Sequence, residues 1–236
     1  MIVSLNQQLS DLHAERVRTW DPDTLRINVD QRRELVDAFN PASAVREGDI
    51  VEPFSLLDVE GGTITRDELV RDRPAVLIFF RFAGCPACNI ALPYYEQALR
   101  PSLRRAGVGL IAISPQVPER LIEIKQRHRL GFTVASDPDN ALGRQLGITF
   151  EANAATRAAA MDKGSWIGAV VGTGTWELPQ PTVVILDPDH RVRFVDISPD
   201  WLVRTEAAAI LTALEPFAEF ETVRIESAEA ALLQRP

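Results

Sequence analysis

Cysteine is scarce in this chain. There are two among 236 residues, Cys85 and Cys88, set in one Cys-Pro-Ala-Cys. Histidine is nearly as rare. His13, His128 and His190 lie in unrelated segments, so the four ligands of a structural zinc site do not gather around the dithiol. No metal and no cofactor is expected. Positive charge is in deficit, with 25 Lys and Arg against 33 Asp and Glu, a net −8 and no basic stripe. That argues against a nucleic-acid partner. Long apolar runs are missing as well. A run such as residues 75–80 has strand length and cannot cross a bilayer. The opening residues lack the basic start and apolar stretch of a secretion signal, so a cytoplasmic setting is expected. There a vicinal dithiol reads as catalytic rather than as a permanent crosslink. The loop such a crosslink would close is too short to stabilise much.

What the chain does hold is organised around residues 76–88. An apolar strand runs into a short Gly84-containing turn, and the turn into a helix that begins with the two cysteines. A helix N-terminus carries partial positive charge and free N–H groups. A thiol placed there titrates below its ordinary value and reacts as thiolate. The spacing predicts an exposed, low-pKa attacking thiol at Cys85. Cys88, one turn further in on the same face, is then the shielded resolving thiol. Pro86 suits the first helical turn. Arg81, four residues before Cys85, can lower its pKa electrostatically or serve as a surface ion-pair residue.

Patterning divides the rest. At 46% hydrophobic and 25% charged, the chain can bury one sizeable core. Residues 1–47 read as a helical arm. Leu5, Leu9 and Leu12 share one helical face, Asp21-Pro22 ends the first helix, and a second starts near Asn28. The arm is expected to pack on the main domain, with a homodimer contact as the other reading. Residues 48–216 alternate strands and helices: a strand near Phe54–Leu57, a capping box at Thr65, the strand 75–80, the cysteine helix kinked at Pro93, then strands at 108–114 and 132–135. Asp139 is expected to cap the helix 141–146. Residues 150–178 read as an insertion, Ala-rich and helical first, then a Gly-rich flexible loop or a lid over the cysteines. A hairpin through Pro188-Asp189-His190 and a helix 205–214 follow. Residues 217–236 form a tail.

The fold class is therefore α/β, a mixed sheet with helices on both faces. With Cys85-Pro86-Ala87-Cys88-Asn89 after its first core strand, it resembles the thioredoxin fold. The resemblance is closest to peroxiredoxin-like members of the alkyl hydroperoxide reductase/thiol-specific antioxidant family. Gly48-Asp49, Pro53 to Leu56, Asp58, Phe80-Arg81, Ile113 to Gln116, Trp176 to Pro179 and Asp196 to Trp201 carry it. The resemblance implies an antioxidant oxidoreductase that reduces a hydroperoxide or a disulfide through a Cys85–Cys88 dithiol–disulfide cycle. A thioredoxin- or glutathione-type thiol would be the reductant. Two family positions differ. Phe82 stands where the family has Thr or Ser, and Gln180-Pro181-Thr182 lacks the family's Arg. These departures support the alternative of a binding scaffold with little turnover. Two features resemble thioredoxin itself: Pro93, and Pro181-Thr182, which implies a cis Gln180–Pro181 bond beside the dithiol.

Overall fold

The computed structural model describes residues 2–217, so the tail expected at 217–236 lies outside the described residues apart from Phe217. The chain opens with two helices, α1 (Leu5–Thr19) and α2 (Pro22–Ala38). The main unit then follows in order: β1 (Ser55–Asp58), β2 (Thr63–Thr65), α3 (Arg66–Leu69), β3 (Ala75–Phe79), α4 (Pro86–Ala98), α5 (Arg100–Ala106), β4 (Gly109–Ser114), α6 (Pro118–His128), β5 (Thr133–Ser136) and α7 (Ala141–Gln145). After these come β6 (Thr149–Glu151), α8 (Ala154–Asp162), α9 (Ile167–Val171), β7 (Glu177–Pro179), β8 (Thr182–Leu186) and β9 (Val192–Ile197). A further helix, α10, is described over residues 207–217.

Seven strands form one sheet in the order β2-β1-β5-β4-β3-β8-β9. The β3–β4 and β4–β5 pairs are parallel, while β8 runs antiparallel to β3 and β9 to β8. The continuous apolar run of β3 is the signature of a strand covered on both faces. Its alternate residues divide between two cores. Val76, Ile78 and Phe80 join the core under α1, α4, α5, α6 and α10, which also contains both cysteines. Ala75, Leu77 and Phe79 join the opposite core with Leu142 and Leu146.

The arm is helical as expected, and it packs within its own chain. Leu5 and Leu9 are buried in the cysteine-side core, and Glu206 binds the start of α1 by accepting from Leu5 N at 3.0 Å and Asn6 N at 2.8 Å. The expected second helix start near Asn28 is wrong by nearly two turns. Asp21 caps α2 by accepting from Thr24 N at 3.0 Å, and Pro22 is its first residue. Proline ends one helix and opens the next here, because its missing N–H is spare at a helix start. Thr65 and Glu68 form the expected capping box. Asp139 does not cap α7. Asp137 does, accepting from Leu142 N at 3.0 Å and Gly143 N at 2.9 Å.

The 150–178 insertion is framed by the antiparallel pair β6–β7. Its second half is not a plain flexible loop. It contains α9 and is tied to the main unit, with Gln116 Nε2 donating to Val170 O at 3.2 Å. At its first half, Asn153 N donates to Gln31 Oε1 of α2 at 2.6 Å.

Candidate active site

The cysteines sit where the C-terminal end of β3 meets α4. The connecting loop is held from behind by backbone-directed hydrogen bonds. Phe80 N donates to Ile113 O at 2.9 Å, extending the parallel ladder past the strand end. Ser114 Oγ donates to Arg81 O at 3.0 Å, and Ala83 N donates to Gln116 Oε1 at 2.7 Å. Asn89, one helical turn past Cys85, gives its amide to two loop carbonyls, Ala83 O at 2.7 Å and Cys85 O at 2.9 Å. Cys85 is the N-cap of α4 and Pro86 its first residue, as the sequence predicted. Pro93 lies inside α4, which nonetheless runs on to Ala98.

Both thiols are free. Cys88 is shielded as expected, at 0% exposure, but Cys85 is not the exposed thiol the spacing predicted: it is 2% exposed. The helix entrance faces the arm and the segment after β9 rather than solvent, and neither was visible from the local motif. The expected lowering of Cys85 is overturned as well. The hydrogen bond between the two thiols, followed by burial, pushes Cys85 well up. Burial alone would raise Cys88 too, but the hydrogen bond from Cys85 and the charge of Arg204, then Arg81, override it and hold Cys88 well down. The surroundings thus favour negative charge on the inner sulfur over the outer one. Interacting groups of this kind titrate as a pair.

Arg204 is the residue sequence reasoning missed. Its Nη2 donates to Cys88 Sγ at 3.6 Å, and it is 5% exposed. Its own Nε donates to Trp201 O at 3.0 Å. Asn6 of α1 clasps its backbone from both sides, receiving Arg204 N at 2.9 Å and donating to Arg204 O at 2.8 Å. Tyr95 Oη donates to Thr205 O at 2.7 Å from within α4. The arm and the cysteine helix thus fix the guanidinium together. The only signal in the sequence was an Arg in a segment following the last strand.

Arg81 belongs to the site. Its guanidinium lies over the Trp201 ring at 4.3 Å and bears electrostatically on both cysteines. Its charge favours the thiolate form of either sulfur. Pro181 and Thr182 do not hold the roles given them. Among the described residues no peptide bond is cis, so the expected cis Gln180–Pro181 bond is corrected. The chain passes straight from β7 into β8 with Gln180 N bound to Ile148 O at 2.7 Å and Pro181 O receiving Ser198 N at 2.8 Å. An extended path needs no reversal there. Thr182 pairs directly with Phe79. Cross-strand partners share a face, and Phe79 belongs to the core opposite the cysteines, so the Thr182 side chain is turned away from them. Its hydroxyl donates to Gln180 O at 2.9 Å.

Known proteins match this chain over the span that holds the dithiol. The family model described as AhpC/TSA family matches residues 48–195, which include the dithiol but not the arm. Peroxiredoxin Bcp of Escherichia coli (strain K12) is 30% identical over 109 residues, 46% of this chain and 67% of that protein. The chloroplastic peroxiredoxin Q of Gentiana triflora is 25% identical over 104 residues, 44% of this chain and 47% of that protein. Among solved structures, peroxidoxin BcpB from Mycobacterium tuberculosis aligns with a TM-score of 0.56 at 20% identity, covering 73% of this chain and 97% of that one. Xanthomonas campestris peroxiredoxin Q aligns with a TM-score of 0.56 at 19% identity, covering 75% and 99%. At these identities the structural likeness is one of fold. Taken with the matched span, the dithiol and the sheet order, it shows that the chain belongs to the AhpC/TSA family, as a peroxiredoxin-like, thioredoxin-fold thiol oxidoreductase.

Proposed function

We propose that this enzyme reduces hydroperoxides through a Cys85–Cys88 cycle, with Arg204 and Arg81 supplying the positive charge that the family places elsewhere. One observation carries the reading: a buried dithiol at the α4 N-terminus with a clamped guanidinium 3.6 Å from the inner sulfur. In the resting pair Cys85 donates its proton to a Cys88 thiolate. When a hydroperoxide ROOH arrives, that proton passes to Cys88 and the Cys85 thiolate attacks the terminal oxygen. The O–O bond breaks, RO⁻ leaves and takes a proton to become ROH, and Cys85 is left as sulfenic acid. Cys88 then attacks the Cys85 sulfur, water leaves, and a disulfide forms. Two external thiols reduce it and end as their own disulfide. Cys85 is the attacker because it caps α4 beside the loop, whereas Cys88 lies one turn further in against Arg204.

The disulfide-substrate branch loses ground, since its motivation was a cis proline presenting backbone beside the sulfurs. The inert-scaffold alternative rested on missing charge at Phe82 and in the 180–182 segment. The arginines at the dithiol answer that gap. The reductant is proposed to be a thioredoxin- or glutathione-type thiol and the setting cytoplasmic. Among the described residues no helix is long and apolar enough to cross a membrane. Because α1 spends its apolar face on its own core, a homodimer is not needed to cover the arm. A stopped-flow comparison of hydrogen peroxide, an alkyl hydroperoxide and a model disulfide tests the reading. Rapid loss of thiols with the peroxides and slow loss with the disulfide is expected. The reverse order would overturn it.

A further inference from the structure

Asn89 holds the cysteine loop, and Asn89 is itself held. Its Nδ2 gives both hydrogens to the loop, to Ala83 O at 2.7 Å and to Cys85 O at 2.9 Å. Its Oδ1 accepts from His128 Nε2 at 2.7 Å and from Arg127 Nη1 at 2.9 Å. Carbonyls only accept and a guanidinium only donates, so these neighbours fix which way the amide faces. His128 therefore meets Oδ1 with a hydrogen on Nε2. Burial, then the charge of Arg127, lowers the pKa of His128, which leaves a neutral ring at pH 7 with its one hydrogen on that nitrogen. The amide has two donor and two acceptor positions, and each is taken.

The two donors stand on the last turn of α6. Leu130 N donates to Lys125 O at 3.0 Å and Arg129 N to Gln126 O at 3.2 Å, the paired closure of a helix end. Glycine ordinarily follows such an end, because the position needs a positive φ. Here Arg129 takes it, at φ +51°, a conformation that disfavours a side chain. Leu130 anchors the turn in the cysteine-side core. Strain of this kind persists where the surroundings hold it, and it gathers at functional positions. On the loop, Ala83 N donates to Gln116 Oε1 at 2.7 Å, so side chains of other elements hold both backbone polar groups of Ala83. Cys85 N donates to Phe82 O at 3.1 Å, and Cys85 O accepts from Asn89 N at 3.0 Å as well as from the amide. A disulfide forms where two Cα atoms lie about 4.4–6.8 Å apart, so the first turn of α4 has to stay wound for Cys85 and Cys88 to close.

We propose that His128, acting through Asn89, is a positioning residue for the dithiol, holding the Cys85 backbone where a Cys85 sulfenic acid meets Cys88. Attack on a small peroxide needs one sulfur and closure needs two, so this link acts on closure more than on attack. The inference rests on the Cys85–Cys88 cycle proposed above. Reduced enzyme is mixed with one equivalent of hydrogen peroxide and excess dimedone, and the ratio of dimedone adduct to Cys85–Cys88 disulfide is read by intact mass. Asn89→Ala should raise that ratio by roughly three- to tenfold, the change that one neutral hydrogen bond corresponds to. His128→Ala should raise it in the same sense, and His128→Gln, which keeps an N–H donor, should restore most of the wild-type value. Residues in one network do not act additively, so Asn89→Ala/His128→Ala should resemble Asn89→Ala alone. An unmoved ratio in either folded single variant overturns the link. So does a His128→Gln ratio as high as that of His128→Ala, or a double variant whose effect is the product of the two single ones. If the wild type consumes no peroxide, the hydroperoxide reading fails, and oxidised glutathione decides the link. The ratio of Cys85 mixed disulfide to closed disulfide should then rise by the same factors in the same variants, and an unmoved ratio overturns it.

Discussion

Replacing Arg204 should raise the titration of the dithiol and slow its chemistry. At 3.6 Å from Cys88 Sγ, a full charge pair is worth about 4–5 kcal/mol at an effective dielectric near 20. The net loss is smaller, because Arg81 and the Cys85 hydrogen bond also hold the Cys88 charge. A hydrogen bond to a charged group contributes about 1.5–3 kcal/mol, which corresponds to about a ten- to hundredfold change in the thiolate equilibrium. Arg204→Met keeps much of the volume and removes the charge. Thiolate absorbance near 240 nm, followed against pH in the reduced protein, should show the lower of the two midpoints moved upward. The rate of thiol loss with hydrogen peroxide at a fixed pH below that midpoint should fall by the same factor. An unmoved midpoint in a folded Arg204→Met protein would refute the assignment of the charge to Arg204.

Cys85→Ser should abolish thiol-dependent turnover, whereas Cys88→Ser should still consume one equivalent of peroxide and stop at a Cys85 sulfenic acid trapped by dimedone. Equal inactivity of the two variants in a single-turnover assay would contradict the roles given them. Stability should also depend on pH through the pair. Cys88, held down in the fold, adds stability that is fully present above the ordinary thiol pKa of about 8.5 and lost as pH falls through its folded value. Cys85, held up, adds stability that is present below about 8.5 and lost as pH rises toward its folded value. Relative to a Cys85→Ala/Cys88→Ala protein, urea denaturation of the reduced enzyme should therefore give a stability advantage that peaks near pH 8.5. Gly147→Ala should destabilise by at least about 2 kcal/mol, since its φ is +67° and a Cβ would meet Ser43 O at 2.2 Å. Thermal unfolding within a degree of the wild type would contradict that.

The parts of the site that were legible in the sequence are those within one contiguous stretch. The run 75–80 reads as a doubly covered strand, and the Cys-Pro-Ala-Cys after it reads as the opening of a helix at that strand's C-terminal end. The residues that set the charge were not legible, because they reach the sulfurs from distant segments. Arg204 comes from beyond β9, in a segment with no motif to mark it. Asn6 of α1 clasps its backbone, and amphipathic patterning alone does not show which neighbour a helix meets. The same gap hid the covering of Cys85. Pro22 misled for a different reason: a proline permits a helix start as readily as it forbids a continuation, and only the Asp21 cap distinguishes the two. At Pro181 the local pattern matched thioredoxin while the connection did not, because β7 leads directly into β8.

The most direct test of the dithiol cycle is the intact mass and free-thiol count of the fully reduced enzyme after one equivalent of hydrogen peroxide, with no external thiol. The account predicts loss of both thiols and a mass lower by two hydrogens, with Cys85 and Cys88 joined in one peptide after digestion. Two intact thiols, or an added oxygen on one cysteine with the other still free, would contradict it.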